Sequence, residues 1–228
     1  MQITVATLNW RRPGNVVKIA AALVAQDHPC RKLVVTHPEA SPLPALPCEV
    51  VSVPNLGPYS RYLAEYGGDY ALLIDDDLLP PAGLVGAFVK ATEKYPEAVL
   101  SLYGRRIKHG RYNFRGIGRT EKFEQVSMPV RMYWIPTGII PAVREGYARW
   151  LAKGHAPEVL DDDILVAWVA RQRGCYLLPK GVDCIGLPEP HSAASIKSSK
   201  TLLESATTSS LVMRTSATKR CGLTGKSG

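Results

Sequence analysis

Three consecutive carboxylates, Asp75-Asp76-Asp77, end an apolar run, Tyr70-Ala71-Leu72-Leu73-Ile74, and are followed by Leu78-Leu79-Pro80-Pro81. The run reads as a strand buried on both faces, and the prolines as its stop and the start of a helix. Adjacent acids repel one another and contribute nothing to a core. At the carboxyl end of a parallel strand, where open α/β sheets bind ligands, they can hold something positive. Oxygen donors suit a hard divalent cation. Mg²⁺ or Mn²⁺ fits best, since Mg²⁺ often takes one or two carboxylates and leaves room for substrate phosphates. A solvated acidic turn is the alternative reading. A second acidic group, Asp161-Asp162-Asp163, precedes a helical stretch at residues 164–173. One Asp there can cap the helix, and the helix dipole favours acids at that end. One cap does not need three. An ionised Asp can also take the proton of an attacking hydroxyl, with Asp163 the preferred base and Asp162 the second.

Basic and aromatic residues elsewhere in the chain could serve the same site. Arg11 and Arg12 sit in a polar turn, Asn9 to Asn15, and can neutralise phosphates or stack on a base. Arg61 can pair with Asp75 or its neighbours, or lie on a helix surface. Trp134 and Thr137-Gly138 follow a strand and can line a pocket, with Trp134 equally suited to the core. His191, in the rigid turn Pro188-Glu189-Pro190-His191, can complete a metal sphere or be an ordinary surface histidine. From Arg105 to Lys122 the chain also holds Arg106, Lys108, Arg111, Arg115 and Arg119, interleaved with Tyr112 and Phe114. A solvated loop is the default for such a run. Its arginines also suit an anionic acceptor, such as a phosphorylated sugar, a lipid phosphate or DNA.

The elements that must position these groups alternate. Strands are expected at residues 2–8, 32–36, 49–53, 70–74 and 98–102. Helices are expected from Val16 to Leu23, from Pro58 to Tyr66, and around Leu84 to Val89. Such alternation means βαβ units and a mainly parallel sheet flanked by helices. Residues 104–128 read as a long loop or small hairpin. Beyond it come a strand at 130–135, a helix around 143–151, the Asp-led helix and a last strand at 175–178. The expected organisation is one domain, residues 1–190, in two halves, 1–103 and 104–190. A Ser/Thr/Lys-rich tail, 191–228, follows.

Composition sets the outer limits. The 228 residues are 46% hydrophobic and 21% charged, which implies a real core. The net charge is +8, and half of the excess lies beyond Pro188, where six Lys or Arg stand against two Glu. Positive charge of this kind attracts phosphates, nucleic acid or anionic membranes. The five cysteines form no C-x-x-C pair, which argues for free thiols in a reducing compartment. The start of the chain lacks the layout of a signal peptide, and no apolar run nears the roughly 18 residues of a membrane span. A cytoplasmic location is the expectation.

In order and spacing these pieces resemble a GT-A-fold nucleotide-sugar glycosyltransferase, most similar to the family 2 group, over residues 2–190. Thr7-Leu8-Asn9-Trp10-Arg11-Arg12-Pro13 is similar to the family's opening T-x-N-R-P segment. Asn55-Leu56-Gly57 with Arg61 resembles its N-x-G…A-R-N segment. Asp75-Asp76-Asp77 with Pro80 matches the D-x-D signature, and Asp162-Asp163 resembles the acidic pair that opens the catalytic helix. His191 stands where many GT-A enzymes carry a late metal-binding histidine. The resemblance implies a single GT-A-like catalytic domain, with 1–103 its nucleotide-binding half and 104–190 its acceptor half, and metal-dependent, inverting transfer of a sugar from a nucleoside-diphosphate sugar, a UDP-sugar first. It implies that Asp77, Asp75 and His191 hold Mn²⁺ or Mg²⁺. Thr7, Asn9, Arg12, Asn55, Arg61, Asp75 and Asp76 would contact the nucleotide. The family often has an acid after its second strand to hold the base, where this chain has Thr36-His37-Pro38.

Three other classes fit less well. A D-x-D-x-T phosphatase needs its nucleophilic Asp on the first strand and a Thr where Leu79 stands. A nucleotidyltransferase wants a Gly-rich loop after strand one, and Asn9 to Asn15 holds one Gly. A non-enzymatic binding module has no use for intact acids at both sites. The same sugar chemistry on hydroxylated bases of DNA is the alternative for the acceptor, and would require the base to be extruded from the duplex.

Overall fold

Apolar residues alternate between two faces along the central strands, and each face has its own helices. In the computed structural model, residues 1–108, 111, 112, 117, 119–154 and 162–188 are described. In chain order the elements are β1 (Ile3–Leu8), α1 (Pro13–Val24), β2 (Arg31–Thr36), β3 (Glu49–Ser52), β4 (Tyr70–Ile74), β5 (Leu78–Leu79) and α2 (Leu84–Thr92). There follow β6 (Val99–Ser101), β7 (Gly104–Arg105), β8 (Ile107–Lys108), β9 (Arg111–Tyr112), β10 (Glu124–Val126), β11 (Met128–Pro129) and β12 (Met132–Pro136). The last are α3 (Ile140–Ala152), α4 (Asp162–Ala170), β13 (Cys175–Leu177) and β14 (Ile185–Gly186).

Eight strands form the main sheet in the order β10-β13-β6-β12-β4-β1-β2-β3. All run in one direction except β12, antiparallel to β4 and β6, and β10, antiparallel to β13. This is the mainly parallel sheet flanked by helices that the alternation implies. On β4, Leu72 and Ile74 point into one core with Ile19 and Leu23 of α1 and Leu84 and Phe88 of α2. Ala71 and Leu73 point into the other, with Val143 and Tyr147 of α3 and Leu165 and Val166 of α4. The period-2 pattern of a doubly covered strand thus feeds both layers. Trp134 is fully buried and stacks on Phe88 and Tyr70 at 5.4 and 5.3 Å, so it is a core residue and lines no pocket.

Three expectations about local structure are corrected. The segment after Asn55-Leu56-Gly57 is a short 3-10 turn, Tyr59–Leu63, and no helix reaches Tyr66. Tyr59, Ser60, Arg61 and Tyr62 are all buried, and four successive buried residues do not suit a helix with one wet face. Pro80 and Pro81 do not open the next helix directly. Leu78 and Leu79 first pair with Gly186 and Ile185, and α2 begins at Leu84. That partner strand, β14, has too few residues to show a period. Residues 104–128 are more than a loop or small hairpin: β8 and β9 do form such a hairpin, but Glu124–Val126 is the edge strand β10 of the main sheet and Gly104–Arg105 pairs with Met128–Pro129.

Gly67-Gly68 has a definite task at the foot of β4. Gly68 has φ +95°, and a Cβ there would meet the Gln2 carbonyl oxygen at 2.6 Å. Only glycine lets the two chains approach so closely. No helix among the described residues is long and apolar enough to cross a membrane. Cys30, Cys48, Cys175 and Cys184 are free thiols, as expected, and Cys221 lies outside the described residues.

Candidate active site

Parallel strands deliver their carboxyl ends to one edge, and the two acidic groups meet there. Asp75-Asp76-Asp77 leaves β4, and Asp162 and Asp163 form the first turn of α4. Three arginines from three elements hold the acids. Arg61, from the 3-10 turn, donates through Nη2 to Asp75 Oδ1 at 2.8 Å and lies 3.5 Å from Asp162 through Nε. Arg12, at the start of α1, donates to Asp76 Oδ1 at 2.6 Å and lies 3.9 Å from Asp77 Oδ2. Arg131, just before β12, places Nη2 2.8 Å from Asp77 Oδ1.

Burial makes this cluster electrostatically tense. Asp75 and Asp76 are both pushed up to about 6, first by burial, with Arg61 and Arg12 respectively opposing the rise. Asp163 is pushed up to about 7 by burial and the nearby Asp75, while Arg61, Arg105 and the Arg131 backbone N–H pull it down. A carboxyl group raised in the folded state stabilises the fold below its unfolded value of ~4 and loses that contribution as pH rises through the folded value. Stability should therefore fall between about pH 4 and 8 on account of these three groups. Melting by circular dichroism across this range tests it: the decline above pH 6 should flatten in Asp163→Asn. An unchanged slope in that variant would remove Asp163 as the cause.

The two candidate bases differ in their surroundings. Asp162 is buried, accepts a long hydrogen bond from Tyr62 Oη at 3.4 Å and faces Arg61. It reads as a brace between α4 and the 3-10 turn. Asp163 is half-buried, so it is the member of the pair better placed to meet an acceptor.

Residues at the ends of β1 and β2 complete the edge. Asn9 is fully buried, its Nδ2 donating to Thr36 Oγ1 at 3.1 Å and to the Ser41 carbonyl at 2.8 Å. Thr7 is buried in β1, and Asn55 is exposed and accepts from the Gly57 N–H at 3.2 Å. Among the described residues, five buried side-chain atoms lack a hydrogen-bond partner: Thr7 Oγ1, Asn9 Oδ1, Arg61 Nη1, Asp77 Oδ1 and, in the core, Trp134 Nε1. Four of them therefore belong to this one edge, and unsatisfied buried polar atoms call for a functional explanation.

A hard divalent cation fits the donor set. All donors are oxygens, and Asp77 Oδ1 is buried without an aligned hydrogen bond. Among the described residues no group of three or more His, Cys, Asp and Glu is arranged to hold a metal ion by itself. Mg²⁺ and Mn²⁺ do not require one where substrate phosphates supply the remaining oxygens. His191 and Asp161 lie outside the described residues, as does the tail. Pro188, three residues before His191, lies close: its carbonyl accepts from Asn15 Nδ2 at 3.1 Å, and the Leu187 N–H donates to the Asp77 carbonyl at 2.8 Å.

Solved structures share this architecture. S. aureus TarS, residues 1–349, superposes with a TM-score of 0.56 at 13% identity, over 82% of this chain and 60% of that one. The same fragment in complex with UDP-GlcNAc gives 0.56 at 13%, over 86% and 61%. Its UDP complex gives 0.55 at 14%, over 83% and 61%. The fold is GT-A-like. The chain spans about three fifths of the TarS fragment, and at this identity the likeness is one of fold. No protein-family model and no curated protein matches the sequence.

Within the GT-A-like sheet, one sequence expectation moves away from the site. Thr137 and Gly138 follow β12, which is antiparallel, so they lie at the opposite edge, where Thr137 Oγ1 donates to the Gly68 carbonyl at 2.6 Å. Conversely, the site gains residues that sequence reasoning did not assign to it. Arg131 is the foremost, and its guanidinium lies 5.5 Å over the Tyr103 ring. Trp10 and His37 form an aromatic pair at 4.5 Å, with the Arg11 guanidinium 4.7 Å over the indole. The Trp10 signal was legible, because an aromatic in a polar turn after the first strand has no core to enter.

Proposed function

We propose that this protein is a glycosyltransferase that moves a sugar from a nucleoside-diphosphate sugar, a UDP-sugar first, to an acceptor hydroxyl, with inversion. The observation that carries the reading is the meeting of both acidic groups and four unsatisfied polar atoms at the carboxyl edge of a GT-A-like sheet. The UDP-GlcNAc and UDP complexes of TarS support the choice of donor. Asp163 acts as the general base. Its carboxylate takes the acceptor's proton, and a value of about 7 suits a base working near neutrality. The Arg131 N–H holds that carboxylate in place, and Arg61 braces Asp75 against Asp162. Asp77 and Asp75, with His191, would hold Mn²⁺ or Mg²⁺, which supplies Lewis-acid stabilisation of the departing diphosphate. Thr7, Asn9, Arg12, Asn55 and Asp76 are assigned to the nucleotide, with Trp10 and His37 as a surface for its base.

The acceptor is proposed to be anionic. The support is the Arg-rich segment after β6, whose Arg105 is near enough to Asp163 to lower its pKa. The 450 Å³ cleft lined by Arg106, Ala167, Arg171 and Cys175 opens towards the start of β13, away from the carboxyl edge. DNA carrying hydroxylated bases is one polyanion of this class.

A donor panel tests the function. Incubated with UDP-, GDP- and CDP-sugars and Mn²⁺, the protein should release UDP from at least one UDP-sugar, and chelation should stop the release. Failure to release a diphosphate from any donor, with and without candidate acceptors, would overturn the reading.

A further inference from the structure

Arg131 is the only non-glycine residue with a positive φ among those described, at +64°. An L residue in the left-handed region is uncommon unless it is Asn or Asp, and such strain persists only where the surroundings hold it. Here the acid cluster holds it. The Arg131 carbonyl accepts from the Asp75 N–H at 3.0 Å. Its own N–H donates to the Asp163 carboxylate. Its guanidinium reaches Asp77. One residue thus joins the strand-end acids to the helix-start acid.

The three arginines of the site differ in freedom. The Arg61 side chain is 7% exposed and also bonded to the Pro58 carbonyl, and that of Arg12 is 14% exposed. The Arg131 side chain is 38% exposed. Its guanidinium lies 2.8 Å from Asp77 Oδ1, a contact that combines charge with hydrogen bonding. Arg131 is therefore the arginine of the three with most solvent to move into.

We propose that the Arg131 guanidinium changes partners during donor loading. It neutralises Asp77 before a divalent cation binds there, and afterwards bonds the donor's diphosphate. The inference rests on the nucleotide-sugar reading above. A guanidinium 2.8 Å from Asp77 Oδ1 and a divalent cation on the same carboxylate repel each other and compete for its lone pairs, so each weakens the other's hold. The backbone bonds to Asp75 and Asp163 keep the Arg131 Cα in place, so the released guanidinium stays within the same cleft. A diphosphate offers it the paired oxygens that a planar fork matches best. Cation binding alone displaces Arg131 without recompense, whereas cation and diphosphate together give it a new partner. The two ligands must then bind cooperatively, and by linkage each raises the affinity of the other by the same factor.

The test is a calorimetric titration of the full chain with Mn²⁺, with and without UDP, in the wild type, Arg131→Gly and Arg131→Met. Glycine accepts a φ of +64° and removes only the side chain. Methionine keeps much of the length and loses the charge. In the wild type, UDP should tighten Mn²⁺ binding by about 5–150-fold, the usual range for coupled sites. In both variants, Mn²⁺ without UDP should bind about tenfold tighter than in the wild type, and the coupling should shrink by a similar factor to the part that direct contact between cation and phosphate supplies. Mn²⁺ affinity without UDP that is equal or weaker in whichever variants fold would overturn the exchange, as would coupling undiminished in them. A wild type that binds neither Mn²⁺ nor UDP would overturn the nucleotide-sugar reading together with it.

Discussion

Asp77→Asn is expected to lower cation-dependent turnover of the sugar donor by about 10³-fold, the loss that follows when several kcal/mol of charge stabilisation disappears. The substitution removes one charge and almost no volume. Its surroundings are prepared for the loss, since Asp77 is bonded to the rest of the fold through its backbone: its carbonyl accepts from the Leu187 N–H at 2.8 Å. Melting temperature and circular dichroism should therefore stay close to wild type. The decisive measurement is UDP release at limiting Mn²⁺, where a weakened ligand set is most visible. Full turnover of Asp77→Asn under those conditions would remove the residue from the cation site and leave the acidic motif without its proposed purpose.

Asp163→Asn is expected to slow transfer by about 10²–10⁴-fold, the range that a positioned general base contributes. Binding of UDP and Mn²⁺ should be spared, because Asp163 stands on α4 and Asp77 follows β4. A pH profile adds a sign. A base works deprotonated, so the wild-type rate should rise with pH through about 7 and level above it. The variant should lose that acidic limb. Loss of UDP binding together with transfer would make Asp163 a donor contact. Full activity would hand the role to Asp162, whose contact with Arg61 at 3.5 Å would then have to break during catalysis.

The prepared state of the site bears on both experiments. Each acid of the strand-end group faces a different arginine, Arg61, Arg12 or Arg131. Removing an arginine would therefore leave a part-buried carboxylate without its counter-charge, a costly change. Removing Asp77 leaves Arg131, which is exposed enough to turn to solvent or to phosphate. Substitutions on the acidic side are accordingly the cleaner probes of chemistry.

Sequence alone determined the local features of this protein. The apolar run into Asp75, the Asp-led start of α4 and the alternation of strands with helices are all written in neighbouring residues, because strand and helix periods repeat over a few positions. That information was enough for the sheet class and for both acidic groups. Tertiary structure decided what depends on partners far apart in the chain. The antiparallel direction of β12 sent Thr137 to the far edge, and strand direction leaves no mark in a five-residue pattern. The pairing of Arg12 with Asp76 spans 64 positions, and that of Arg131 with Asp77 joins the entry of one strand to the exit of its neighbour. Charge complementarity of this kind follows from which ends of which strands lie side by side. The left-handed backbone of Arg131 was equally hidden, since nothing in Pro129-Val130-Arg131-Met132 demands a positive φ until both acidic groups close around it.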